Sequence, residues 1–164
     1  MLTWQDVMND KSLQDLPYKI ELNKQGKIEM SPASNMHGTL QFEVGQMLSS
    51  HLPAGRVIAE CSIATSEGVR VADVAWCSRS FLERFGYDTP YVEAPETCVE
   101  IASPSNSATE MDWKTDLYLR SGAQEVWVVD LDGNIRFFGK EGLRSASMFG
   151  GFAVKIDLPY RKKH

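Results

Sequence analysis

The chain has 164 residues, is 43% hydrophobic and 24% charged, and carries a formal net charge of −5. That length and apolar share suit one domain, residues 1–164, with a real core. The acidity counts against a broad phosphate-gripping surface, because domains that bind nucleic acid over a whole face are usually basic. No apolar run approaches the roughly 20 residues needed to cross a bilayer. The opening stretch "MLTWQDVMNDKSLQDL" has acids and no apolar centre, unlike a secretion signal. A cytoplasmic protein without a membrane partner is therefore expected.

The elements follow in order. Thr3 with Asp6 matches the capping pattern [ST]xx[DE] and opens a short helix. "YKIELNKQGKIEM" alternates apolar and polar residues around a glycine turn, which predicts a hairpin of Tyr18–Leu22 and Lys27–Met30. "SPASN" breaks that pattern and can cap a helix. From Met36 the period becomes helical, with Leu40, Val44, Met47, Leu48 and Leu52 in one stripe, and Pro53 and Gly55 end it. "RVIAECSIAT" and "GVRVADVAWC" read as two strands joined around Glu67-Gly68, followed by a short helix and loop in "SRSFLERFGYDTPYVEAP". "ETCVEIA" is a strong strand. Ser107 and Glu110 repeat the capping pattern, and the helix they open runs to about Ser121, where Gly122 stops it. "EVWVVD", a turn at Asp132-Gly133-Asn134 and "IRFFG" read as a hairpin, and "GFAVKIDL" as a last strand. The crossover helix between "CVEIA" and "EVWVVD" implies a parallel pair, so the fold class is mixed α/β: a mixed central sheet flanked by helices.

Three charged residues break the hydrophobic pattern. Glu100 sits between Val99 and Ile101 in a strand that the crossover places near the middle of the sheet. Asp73 is an acid inside the apolar strand "RVADVAW". Lys114 lies three after Met111, three before Leu117 and four before Tyr118, within the apolar stripe of the following helix, whereas Asp112 and Thr115 fall outside it. An unpaired buried charge is costly, so these groups need partners or a solvent-exposed position. Two sheet carboxylates supply hard oxygen ligands for magnesium. A metal there lowers the pKa of bound water, and a lysine can hold that water or stabilise developing negative charge. Any one of the three alone is more economically a solvated strand acid or a snorkelling lysine; it is the combination that favours a site.

The segments "GKIEMSPASNMHG", "ADVAW", "CVEIASPSNS" and "DWKTDLYLRSGAQEVWVVD" resemble the Uma-type putative restriction endonucleases, a family of the PD-(D/E)XK nuclease superfamily. The resemblance spans nearly the whole chain. It implies a restriction-endonuclease-like core, catalytic Asp73, Glu100 and Lys114, metal ligation of Mg2+ or Mn2+ by Asp73 and Glu100, and DNA as the partner. The superfamily's usual lysine position, two after the glutamate, is Ala102 here, so Lys114 resembles the variant in which the lysine has moved to the next helix. The proline of the "PD" pair is replaced by Ala72. By analogy with nucleases that cut both strands, a homodimer is expected.

Glu43 touches the first long helix's stripe, where related nucleases place an acid near the metal, although a boundary glutamate in solvent is the simpler reading. His37, beside the "SPASN" cap, could contact a phosphate or orient a ligand, with helix-start packing the alternative. His51 suits a helix C-terminus. The four tryptophans read as core and "RKKH" as a solvated terminus. Cys61, Cys77 and Cys98, odd in number and widely spaced, read as buried thiols in a reducing compartment. The function these readings lead one to expect is a metal-dependent DNA endonuclease. The rivals are a silent scaffold that keeps the nuclease fold, and a hydrolase of a small phosphorylated molecule.

Overall fold

Each α-helix begins where a hydroxyl side chain can accept a free amide. In the computed structural model, which describes residues 1–163, Thr3 Oγ1 accepts from Asp6 N to open α1 (Trp4–Asn9), and both halves of the capping box are present. Ser34 accepts from His37 N at the start of α2 (Asn35–His51), Ser78 from Phe81 N at α3 (Arg79–Phe85), and Ser107 from Glu110 N at α4 (Ala108–Arg120). The strands are β1 (Tyr18–Asn23), β2 (Ile28–Pro32), β3 (Arg56–Thr65), β4 (Gly68–Cys77), β5 (Thr97–Ile101), β6 (Glu125–Val129), β7 (Ile135–Gly139) and β8 (Gly142–Arg144).

They form one eight-stranded sheet in the order β2-β1-β4-β5-β6-β7-β8, with β3 paired to β4 outside that path. The β5–β6 pair is parallel, as the α4 crossover requires, and the other pairs are antiparallel. α2 covers one face: Leu40, Val44 and Leu48 pack on Val74, Val99, Ile101 and Trp127. α3 and α4 cover the other, where Phe81 and Tyr118 join Cys61, Ala75, Cys77, Cys98 and Val126. All three cysteines are buried free thiols. Leu40 has no exposed surface, so Leu40→Ala is expected to cost about 2–5 kcal/mol in a urea unfolding titration.

The feature that makes a site is a split in the sheet. β3 runs along the whole of β4. β1 pairs with β4 only at Leu22↔Val69 and Asn23↔Gly68, whereas β5 pairs with it only from Val74↔Val99 to Trp76↔Thr97. Between these contacts, residues 70–73 of β4 lack a strand partner on that side. Gly68 (φ +94) lets β1 approach at all, since a Cβ there would lie 2.1 Å from the Leu22 carbonyl oxygen. The β3 ladder is also interrupted opposite Asp73. Glu60, which the register would place there, has φ 55 and is skipped by the ladder. Gln41 Nε2, from α2, donates instead to the Asp73 carbonyl oxygen and to Glu60 Oε1, each at 2.7 Å.

Two elements differ from the sequence reading. "GFAVKIDL" forms no strand; it makes a single bridge, Asn134↔Lys155. The outer edge of β7 is already taken by β8, through Phe137↔Arg144, Phe138↔Leu143 and Gly139↔Gly142, so only Gly133 to Ile135 remain for the later segment. β8 itself carries too little apolar pattern to be read in advance. Of the terminal residues, 161–163 are exposed and Arg161 pairs with Asp132; the last position of "RKKH", residue 164, lies outside the described residues. Among those described, no helix is long and apolar enough to cross a membrane.

Candidate functional site

The split opens into a cavity of about 280 Å³, lined from β1, β2, β4, β5, α2, α4 and the loop after β5. Asp73 and Glu100 both line it. The β4–β5 register, extended one position beyond Val74↔Val99, sets the two residues opposite each other. There the ladder is replaced by a side chain: Ile101 N donates to Asp73 Oδ2 at 2.8 Å. Both carboxylates are almost wholly buried, and both contact one cation. The Lys19 ammonium stands 3.0 Å from Glu100 Oε2 and 3.3 Å from Asp73 Oδ1.

Lys114 is buried on the inner face of α4, together with Met111, Leu117 and Tyr118; Thr115, read as facing elsewhere, is buried too. Its Nζ donates to Glu21 Oε1 at 2.9 Å and lies 3.7 Å from Glu100 Oε2. Lys114 and Glu100 therefore meet across the strand–helix junction, with Glu21 as the closer partner of the lysine. Glu21 Oε2 accepts from Val71 N at 3.1 Å, so this acid caps an amide of β4 in the gap that β1 leaves. Tyr118 Oη donates to Glu100 Oε1 at 2.7 Å. Tyr118→Phe is expected to lower stability by about 1–3 kcal/mol, because it strips a hydrogen bond from a buried acid; thermal unfolding of the two proteins side by side would measure it.

The charges shape one another. Burial raises the pKa of Glu100, and the opposing pull of Lys114 and Lys19 does not cancel this, in part because Asp73 and Glu21 push the same way as burial. For Asp73, burial also raises the pKa, but Lys19 and His37 outweigh it and hold the carboxyl well below the usual range. Burial would depress the Lys19 ammonium, yet Glu100, Asp73 and Glu21 hold it above its ordinary value. His37 Nε2 lies 3.3 Å from Asp73 Oδ1, and this contact raises the imidazole against the opposing effect of burial.

His37 therefore does reach the cavity. Glu43 is half-buried on α2 and does not line it. Trp113, read as core, differs from the other three tryptophans: it is half-buried, lines the cavity, and lies 4.9 Å from the Arg70 guanidinium carbon. Sequence reasoning missed Lys19 and Glu21. They share one face of β1, with Ile20 and Leu22 on the other. An acid and an amine two apart in an alternating strand were the only signal, and a solvent-facing strand gives the same one.

The lining carries five carboxylates, Glu21, Glu29, Asp73, Glu100 and Glu110, against three full cations, Lys19, Arg70 and Lys114. Asp73 Oδ1 is buried and makes no aligned hydrogen bond. Hard oxygen donors, a carboxylate oxygen held only by ion-pair contacts at 3.3 Å and an excess of two negative charges fit a divalent cation. Among the described residues, no three His, Cys, Asp or Glu side chains are grouped so that they could hold a metal ion together, so Asp73 and Glu100 would supply two ligands and water or substrate oxygens the rest. A larger groove of about 480 Å³, under α1, has no basic side chain in its lining and brings no acid and cation together.

A family model named Uma2 and described as "Putative restriction endonuclease" matches residues 10–141. Among solved structures, the chain is similar to a protein from Anabaena variabilis described as a putative nuclease belonging to DUF820. The TM-score is 0.69 at 19% identity, over 88% of this chain and 83% of that one. That likeness bears out the mixed sheet flanked by helices. No curated protein matches.

Proposed function

Since the chain belongs to the Uma2 family of putative restriction endonucleases, we propose that it hydrolyses phosphodiester bonds in DNA with the help of Mg2+ or Mn2+. The observation that carries the reading is the pair of buried carboxylates, Asp73 and Glu100, that share one cation in a cavity with an excess of negative charge. Asp73 and Glu100 would hold the metal. When bound, it would polarise the phosphate and make water a better nucleophile. Tyr118 fixes the rotamer of Glu100, and Ile101 N fixes that of Asp73. The Lys114 ammonium, at the cavity wall, faces the charge that grows on phosphate oxygens as water adds to phosphorus and the P–O bond to the leaving strand breaks. His37 Nε2, 3.3 Å from Asp73 Oδ1, would help to orient that acid.

The test is conversion of supercoiled plasmid to nicked and linear forms, with Mg2+ or Mn2+ and with a chelator. Metal-dependent nicking that Asp73→Asn abolishes is the expected result; plasmid left intact with either metal would overturn the reading. A small phosphorylated molecule is the second reading, favoured by the limited cavity volume and the acidic chain; inhibition of nicking by duplex DNA but not by nucleotides argues against it. Cutting both strands would call for a second copy, which sedimentation with and without DNA would detect.

A further inference from the structure

Lys19 is the residue that the reading above leaves without a task. Its side chain is only 9% exposed, yet it comes from the polar face of an outer hairpin strand, where a lysine would ordinarily extend into solvent. Instead it turns inward. Its Nζ lies 3.0 and 3.3 Å from the two oxygens of Glu100 and 3.3 Å from Asp73 Oδ1. Lys114, by contrast, is committed to Glu21 and stands 3.7 Å from Glu100. One point between Asp73 and Glu100 is thus within contact of both acids, and an ammonium holds it.

We infer that Lys19 is an internal counter-ion that occupies the cation position between Asp73 and Glu100, and that a divalent metal enters only by displacing its ammonium into the adjoining cavity. The inference rests on the proposal that these two acids take a metal. Two arguments support it. The first is space. Mg2+ draws oxygens to about 2.0–2.1 Å and Ca2+ to about 2.3–2.6 Å, closer than the 3.0–3.3 Å of the ammonium contacts, so the acids must close in on the same point that Nζ fills. Two cations cannot share it. The second is charge. Five lining carboxylates face three cationic side chains; a divalent ion added to all three balances them, provided Lys19 stays in the cavity rather than leaving it. The four-carbon stem of lysine has the rotatable bonds to do this. Displaced, its ammonium would face the cavity opening, where a phosphate would bind.

The test is Mn2+ affinity by titration calorimetry for the wild type, Lys19→Met, Lys19→Arg and Lys114→Met, with Asp73→Asn as the blank. Lys19→Met should bind Mn2+ at least tenfold more tightly than wild type, because no ammonium has to move. Lys19→Arg should bind no more tightly than wild type. Lys114→Met also removes a positive charge near Glu100, but its ammonium is not at the shared point, so its affinity should change less than threefold. Equal tightening in Lys19→Met and Lys114→Met would reduce the effect to general charge and overturn the inference, as would a Lys19→Met affinity no better than wild type. Melting curves cover a folding defect: without metal Lys19→Met should melt below wild type, and with saturating Mn2+ at or above it. A Lys19→Met protein that stays unfolded with Mn2+ also counts against displacement. If wild type and Asp73→Asn bind Mn2+ alike, the metal assignment itself fails, which the Lys19 ratio alone would not reveal.

Discussion

Asp73→Asn is expected to lower metal-dependent DNA cleavage by roughly 10³-fold or more and to erase the rise in melting temperature that Mn2+ gives the wild type. The magnitude follows from the several kcal/mol that a metal contributes to phosphoryl chemistry, at about 1.4 kcal/mol per tenfold in rate. The change is nearly isosteric. The amide oxygen can still accept from Ile101 N, which now bonds Asp73 Oδ2. Its NH2 group then points at the Lys19 ammonium and His37, which stand 3.3 Å from Asp73 Oδ1 in the wild type, and a donor set against donors is unfavourable. Some stability is lost as well, on the order of 1–3 kcal/mol for a buried partner left unsatisfied. The measurements are plasmid nicking and differential scanning calorimetry with and without Mn2+. Cleavage within tenfold of wild type would remove Asp73 from the reaction.

Lys114→Met carries the second large effect. Cleavage should fall about 10²–10³-fold, the range seen when one preorganised charge-stabilising donor is removed, while Mn2+ binding persists. The apolar neighbours Met111, Leu117 and Tyr118 accept a methionine, so the protein should fold. It should not be as stable as wild type, however, because Glu21 loses its ion-pair partner at 2.9 Å and keeps only the amide of Val71. Removing one partner of a buried pair costs about 3–5 kcal/mol. Single-turnover cleavage read beside a Mn2+ titration separates the two effects. Full activity with unaltered metal binding would show that Lys114 is structural.

Asp73, Glu100 and Lys114 were legible because each violates the period of its own element. An acid between Val99 and Ile101, or an amine between Met111 and Leu117, is visible without any coordinates. Lys19 and Glu21 were not, because they obey theirs. The alternation in "YKIELN" is the same whether its polar face meets solvent or a gap in the sheet, and only the divergence of β1 and β5 from β4 decides which. Trp113 was hidden for a similar reason: its spacing suits a core residue, and its place beside Arg70 depends on how α4 docks. Most of the sheet could be read from strand patterns and the crossover rule. The C-terminal edge could not, because competition between β8 and the 154–156 segment for β7 is settled by three-residue contacts too short to leave a pattern.

The split in the sheet has an evolutionary consequence. Where β1 and β5 part from β4, the backbone amides of Val71 and Ile101 find their acceptors in the side chains of Glu21 and Asp73. A descendant of this protein that no longer cut anything would still be under pressure to keep an acceptor at both positions, because an orphaned buried amide destabilises the fold. Acids at 21 and 73 are therefore poor witnesses to activity in a lineage. Lys114 donates to side chains only, and once position 21 carries a neutral acceptor such as glutamine, which can still accept from Val71 N, an apolar residue at 114 leaves no buried charge unpaired. Where relatives have drifted into other work, position 114 should be among the first to change.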